Sequence, residues 1–386
     1  MPSVTVSGAF GTSTNGKVLV NFTSNQLASA AYNQLMDRSA LGYGGGTVPG
    51  FLVTDGSTAT IPAGTLITGV GMNDTVVGGP PPSTPTTLTD GSTAANQLIL
   101  LDAGANANLT VSMGSGMIFA SGNDTVSVSA DGWLVGADAG VQVTATGADT
   151  LFASGAATLN ANGNDTVFGG NGATVNAGGG ALIYIGGTSA GTVDGGSGTM
   201  TVFGASNQTF NIGAGNDTIV GANNSLGDTV NATGVGLTTY FGGDNSSVTF
   251  TGNNSGNLFI GESSAGSGET INAAGASGQN AFFAGAGNDS IVGGKGGGNA
   301  LFAGAGNDTL TGGGAGNNLF GFVAESTSNH VTVTDWNNTD VLYLGTGVSV
   351  MNQTVSNGSL SMTLSDNTTI TFTGVSADIG SGNILT

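Results

Sequence analysis

A heptapeptide, FAGAGND, occurs twice between Gly278 and Gly321 and sets Phe283 against Phe302 and Asp289 against Asp308, 19 residues apart in each case. A repeat this short cannot bury a core alone, so its copies must stack on one another. Gly285, Gly287, Gly304 and Gly306 permit positive φ and leave backbone carbonyls exposed. Each following Asp adds a carboxylate, and Ile291 and Leu310, two places later, point inward. Turns this rich in oxygen atoms are candidate half-sites for a hard cation, calcium.

The stack extends beyond the heptapeptide. From about Thr87 to Gly321 a large apolar residue stands directly or almost directly before Gly, Ala or Ser at Phe119, Val135, Phe152, Phe168, Tyr184, Phe203, Val220, Phe241, Phe259, Phe283, Phe302 and Phe320. The intervals run from 16 to 24 residues and average about 18. A helix would repeat apolar residues at i, i+3, i+4 and i+7, whereas here they are separated by Gly, Asn and Thr clusters, which predicts short strands joined by tight turns. Stability then accumulates coil by coil, with the aromatic ladder expected as the inner seam. A ligand-binding aromatic strip is the other reading of the same residues.

An acidic residue followed by Thr or Ser and then an aliphatic residue recurs at Asp74, Asp124, Asp149, Asp165, Asp217, Asp228, Glu269, Asp289 and Asp308. The fuller GxGNDT-like pattern is confined to Gly213–Thr218, Gly285–Ser290 and Gly304–Thr309. The candidate metal ligands are therefore Gly285, Gly287, Asp289, Gly304, Gly306 and Asp308, followed by Asp217, Asp165 and Asp124. At isolated positions such as Asp149 and Asp228 the competing reading is an Asp that hydrogen-bonds its own turn, with Thr in the adjoining strand.

These segments resemble the RTX family of secreted calcium-binding repeats, whose nine-residue unit reads GGxGxDxUx with U a large apolar residue. Ala303–Thr311 (AGAGNDTLT) and Gly312–Phe320 (GGGAGNNLF) are consecutive, imperfect matches. The resemblance implies an all-β chain, a parallel β-solenoid of the β-roll type with two units per coil. It also implies calcium held between equivalent loops, with Asp289 and Asp308 sharing an ion with neighbouring glycine carbonyls. Asn317 stands at an Asp position and GGKGGGNALF has no Asp, so few ions are expected along the opposite edge.

Residues 1–79 are the least repetitive and are read as an N-terminal domain or cap. Val4, Val6, Val18, Val20 and Phe22 suggest short strands, and a helix is expected from Ser24 to about Ser39, capped by Ser24 or Asn25, with Leu27, Ala31 and Leu35 on its apolar stripe. Such a helix would cover a solenoid end or present a docking surface. Gly71–Gly79 reads as a first, isolated coil turn. Pro80, Pro81, Pro82 and Pro85 make 80–87 either a linker or a loop protruding from a continuous solenoid. The solenoid proper is placed at 88–320. Beyond it, 321–386 alternates apolar and polar residues at Val331, Val333, Val341, Leu342, Leu344, Leu360, Met362, Leu364, Ile370 and Phe372, which predicts an antiparallel pair or meander closing the stack. Val331–Leu344 and Leu364–Val375 resemble the C-terminal cap of RTX proteins, which implies an uncleaved type I secretion signal at the C-terminus. The absence of a basic, apolar leader in Met1–Gly16 agrees with that expectation.

With 73 Gly and only 7% charged residues, a repeat array describes the chain better than an ordinary globule does. Lys17, Arg38 and Lys295 face 23 acidic residues, a net charge of -20, which makes nucleic acid and anionic membrane poor partners and a cation the natural counter-charge. Cysteine is absent, so stability cannot come from disulfides or thiolate metal sites, and no apolar run is long enough for a membrane span. His330 is the only histidine, and neither HExxH nor a phosphate-binding GxxxxGK[ST] occurs, which points away from an enzyme. The expected function is a secreted or cell-surface structural protein, folded by external calcium and assembling with itself into a layer, filament or biofilm matrix. The alternative is an adhesin or other binding solenoid, for a cell-surface polysaccharide or for ice. Ala214, Ala286 and Ala305, where ice-binding relatives of the RTX type carry Thr, argue against ice.

Overall fold

Before residue 107, the computed structural model describes the strands Ser3–Ser7, Lys17–Asn21, Thr58–Ile61, Asp74–Val77, Thr86–Asp90 and Gln97–Leu101, with Thr93 and Ala95. From residue 107 it describes all but 188–189, 205–206, 222–226, 244, 253–255, 262–267 and 323–328. The expected helix at Ser24 to Ser39 and prolines 80–82 and 85 lie outside the described residues. Two compact units are present, Met1–Asp194 and Gly195–Thr386.

Both units are parallel β-solenoids whose consecutive strands alternate between two sheets. In the first unit one sheet, called A here, runs from Asp74–Val77 through Gln97–Leu101, Gly116–Ala120, Trp133–Ala137 and Thr150–Ala153 to Asp165–Phe168 and Leu182–Ile185. The facing sheet, B, runs from Thr58–Ile61 and Thr86–Asp90 to Thr174–Ala177 and Thr192–Asp194. The stack thus already includes strands on the N-terminal side of the proline cluster. Ser3–Ser7 and Lys17–Asn21 form a separate antiparallel pair.

Period-2 alternation builds each strand. In Thr158–Ala161, Leu159 and Ala161 are buried while Thr158 and Asn160 face outward, and the strands on either side repeat the pattern in register. The interior therefore consists of straight columns, Val143, Leu159, Val175 and Val193 on sheet B and Val135, Leu151, Val167 and Tyr184 on sheet A. Equivalent coils are 16 residues apart here, at Asp149 and Asp165, and 19 apart in the second unit, at Asp289 and Asp308. The difference is taken up in the turns.

In the second unit the two sheets carry the corresponding labels, and B runs from Thr209–Ile212 through Thr229–Ala232, Ser247–Phe250, Thr270–Asn272 and Ser290–Val292 to Asn307–Thr311 and His330–Val333. Sheet A runs from Met200–Phe203 through Asp217–Val220, Thr238–Phe241, Leu258–Ile260, Ala281–Phe283 and Ala300–Phe302 to Leu319–Phe322 and Val341–Leu344. Its inner column is more aromatic: Tyr240, Phe259, Phe282 and Phe320 are fully buried. Tyr240 and Phe259 stack at 5.4 Å, and the Tyr240 hydroxyl and Ser246 Oγ lie 2.6 Å apart.

The aromatic ladder expected as one inner seam divides between the two faces. Val135, Tyr184, Phe259 and Phe320 are buried on the inner face, whereas Phe203, Phe241 and Phe283 are exposed and Phe152, Phe168, Val220 and Phe302 are half-buried on the outer face of sheet A; Phe119, though buried, shares the outward register of Phe152. The physical reason is parity: successive strand residues point to opposite faces, so the apolar residue directly before the turn faces out when the one before it faces in. Rings still stack on the outside, Phe152 on Phe168 and Phe283 on Phe302, each pair at 4.5 Å.

The C-terminal segment closes with the expected meander, but later than its alternation suggests. His330–Val333 and Val341–Leu344 continue the parallel ladders, and only Val350–Ser356, Ser359–Leu364 and Thr369–Thr373 pair antiparallel. Thr369–Thr373 returns to lie parallel to His330–Val333, and Ile384–Leu385 pairs with Val341–Leu344. The one helical element among the described residues is the short 3-10 turn Ser381–Asn383, and none of their helices is long and apolar enough to cross a membrane.

Candidate metal centre

Each coil turns a corner just before a strand, and the corner residues of successive coils form columns. On sheet B the column includes Glu269, Asp289 and Asp308, all buried. The backbone N–H of Glu269 donates to Asp289 Oδ1 (2.7 Å), and that of Asp289 donates to Asp308 Oδ1 (3.0 Å). Gly304 N–H donates to the second oxygen, Asp308 Oδ2 (3.1 Å). The two repeated heptapeptides thus lie one directly on the other, with Asp289 and Asp308 in contact.

Their glycine turns are equally close. Ala286 and Ala305 form a parallel bridge, Ala305 N–H donates to Gly285 O (3.0 Å), and Gly287 N–H donates to Ala305 O (2.7 Å). Gly287 and Gly306 adopt φ of 139° and 135°, as expected, whereas Gly304 does not adopt positive φ and is required for another reason. A Cβ at Gly304 would stand 1.7 Å from Gly285 O, and one at Gly306 would stand 1.5 Å from Gly287 O. The carbonyl of Gly304 also accepts Asn329 Nδ2 (3.1 Å).

The other three predicted positions are not brought to this place. Asp124 is buried at a sheet B corner of the first unit and accepts Ser121 N–H (3.3 Å). Asp165 and Asp217 are buried at sheet A corners, one in each unit, and accept Asp149 N–H (3.0 Å) and Met200 N–H (2.7 Å). Asp149, read as lacking a partner one coil away, has one in Asp165, and it accepts Trp133 N–H (2.9 Å) from the coil before. The shared signal is present in the sequence, where ADTLF and NDTVF place the same Asp-Thr-aliphatic-Phe run 16 residues apart.

The opposite corner of the second unit carries amides. Asn257, Asn280, Asn299 and Asn318 are buried in one column, each N–H donating to the next Oδ1 at 3.0 to 3.2 Å, and Asn318 N–H donates to Asp340 Oδ1 (2.8 Å). The amide groups of Asn280, Asn299 and Asn318 donate to the same acceptors, so each oxygen takes two bonds. Sequence reasoning placed Asn317 at the Asp position, but the column residue is Asn318. Asn317 takes φ of 56° in a turn one residue longer, and Phe320 rather than Leu319 points inward. The runs NLF, NAF, NAL and NLF after the glycines carry this ladder in the sequence.

The electrostatics favour a positively charged or proton-bearing group at several corners. Burial pushes the carboxyls of Asp149 and Asp217 up to about 6, against the lowering effect of the backbone N–H groups they accept. Burial also raises Asp165 and Asp340. The second oxygens of Asp149, Asp217 and Asp289 are buried without a hydrogen-bond partner. The carboxylates of Asp289 and Asp308 and the glycine-turn carbonyls beside them offer oxygen, the donor a hard cation takes, so these residues fit calcium in kind. Among the described residues no three Asp, Glu, His or Cys side chains converge, so an ion here would draw most of its ligands from backbone carbonyls. The chain matches no family model, no curated protein and no solved structure.

Proposed function

We propose that the protein is a calcium-dependent structural protein of the extracellular space, of the RTX β-roll kind, which assembles with copies of itself into a layer, filament or matrix. The observation that carries this reading is the sheet B column, where buried carboxylates stack one coil apart with an oxygen of Asp289 left unsatisfied. Such a column is costly in a chain of net charge -20 unless a cation neutralises it. Calcium, when bound, would supply that charge to Asp289 and Asp308 with the carbonyls of the Gly285–Gly287 and Gly304–Gly306 turns. Without it the carboxylates repel and the glycine-rich chain keeps its conformational entropy, a state suited to passage through a type I secretion apparatus. A site present only in the folded coil stabilises it by about 2.7 kcal/mol at a concentration 100 times its dissociation constant.

The test is far-ultraviolet circular dichroism and sedimentation of the purified chain across a calcium titration. Gain of β signal at millimolar calcium, reversed by chelation and followed by association, supports the proposal. A signal indifferent to calcium would sink its metal half, and a monomer at saturating calcium its assembly half.

A second reading, a binding solenoid such as an adhesin, is favoured by the outer face of sheet B. There Asn176 Nδ2 donates to Asn160 Oδ1 (2.7 Å), Asn160 Nδ2 to Thr144 Oγ1 (3.1 Å) and Asn231 Nδ2 to Asn211 Oδ1 (2.9 Å). These ranks of amide and hydroxyl groups match the hydrogen-bonding needs of a polysaccharide. Retention of the monomer on a glycan array would select this reading over assembly.

A further inference from the structure

The two outer faces of the second unit differ in kind. Sheet B presents Thr209, Asn211, Thr229, Asn231, Ser247 and Thr249, all polar. Sheet A presents an apolar column, Phe203, Val220, Phe241, Ile260, Phe283 and Phe302, in parallel register. Phe203 is 46% exposed, Phe241 39%, Ile260 37% and Phe283 36%. Beside it the second outward column changes from Thr201, Thr218 and Thr239 to Leu258, Ala281 and Ala300, so the face becomes wholly apolar toward the C-terminus. Phe302 extends over Gly321, where a Cβ would stand 2.1 Å from its ring, and meets Tyr343 at 6.2 Å on the coil beyond. An exposed apolar strip this regular marks an interaction surface.

We infer that this face is where a second copy of the chain docks, sheet A against sheet A. The inference rests on the self-assembly proposed above and assigns it a surface. Charge selects the occupant. Two chains of net charge -20 repel wherever carboxylates meet, yet neither outward column of sheet A carries a charged side chain between Thr201 and Tyr343. Spacing agrees, because a strip repeating at the strand separation is commensurate with a copy of itself. Eight strands about 4.8 Å apart and four residues wide at about 3.3 Å each give about 500 Å² per copy. The total of about 1,000 Å² stands at the lower limit for a specific interface, so each contact is weak and association strengthens where many copies meet.

The experiment uses the full chain at millimolar calcium. Sedimentation velocity is measured for the parent and for the double variant Phe241→Thr with Phe283→Thr, which keeps β propensity at both outward positions. Association of the double variant is expected to weaken at least about tenfold, the loss that follows when aromatic anchors of an interface are truncated, with an unchanged circular dichroism spectrum and a lower melting temperature from the lost stack of Phe283 on Phe302. Because the chain has no cysteine, Ala300→Cys on this face and Ser247→Cys on the opposite face report contact independently of the double variant's folding. Oxidation is expected to give covalent dimers of the first and not of the second. A parent that associates while the double variant associates equally and Ala300→Cys stays monomeric overturns this surface and leaves self-assembly standing. A parent that never associates overturns both.

Discussion

Replacing Asp289 by Asn separates the two roles of the sheet B column, because the structure contains the arrangement the variant should adopt. At Asn318 and Asp340 an amide and its own backbone N–H both donate to one carboxylate oxygen of the next coil. Asp289 stands in the same relation to Asp308. Two carboxylates one strand apart, about 5 Å, repel by about 3 kcal/mol at an effective dielectric constant of about 20. The added amide bond contributes about 1 kcal/mol. Without calcium, Asp289→Asn is therefore expected to stabilise the coil by about 2 to 4 kcal/mol. With calcium at 100 times its dissociation constant the parent gains about 2.7 kcal/mol that the variant forfeits, so the order of stability narrows or reverses. Circular dichroism across a urea titration with calcium, and across a stabilising-osmolyte titration with chelator, measures both numbers. A variant weaker than the parent in chelator, or one that keeps the parent's full calcium gain, would refute the reasoning.

Three further outcomes follow from other corners. In chelator the protein should show more β structure at about pH 5 than at about pH 7. Asp149 and Asp217 bind protons in the folded state near 6 but unfolded near 3.8, so this stabilisation is complete below 3.8 and lost as pH rises through 6; a β signal that does not rise on acidification to pH 5 contradicts it. Gly306→Ala should cost more than about 3 kcal/mol, because its Cβ would meet Gly287 O at φ 135°, while Gly347→Ala, with open space around it, should cost about 1 kcal/mol from φ alone. Asn299→Ala removes the acceptor of Asn280 N–H and the donor to Gly294 O and Gly312 O, and should cost about 3 kcal/mol or more with faster amide exchange at Asn280.

The architecture was legible because an 18-residue spacing of apolar residues between glycine turns admits few folds, and the pairing of Asp289 with Asp308 follows from a repeat of identical length. What could not be read was which member of an apolar pair faces inward. Phe282 and Phe283 are chemically the same, and only the length of the preceding turn decides that Phe282 is buried and Phe283 exposed. The same one-residue slip moved the corner from Asn317 to Asn318. Asp149 was misread for a related reason: its neighbouring turn lacks the full glycine pattern, yet register alone stacks it on Asp165.

The buried corner hydrogen bonds point one way and the exposed ones beside them the other, as where Asn307 N–H donates back to Asn288 Oδ1. In both columns it is the later coil's side chain that receives the N–H of the earlier one, from Asn257 to Asp340 and from Glu269 to Asp308. Each buried corner is therefore completed by its successor, and the last acceptor of the Asn column, Asp340, is itself pinned through its carbonyl by Asn383. Loss of Asn383 would therefore loosen the buried Asn column at its Asp340 end, while the exposed corner bonds, which run the other way, would keep their acceptors on the preceding coils.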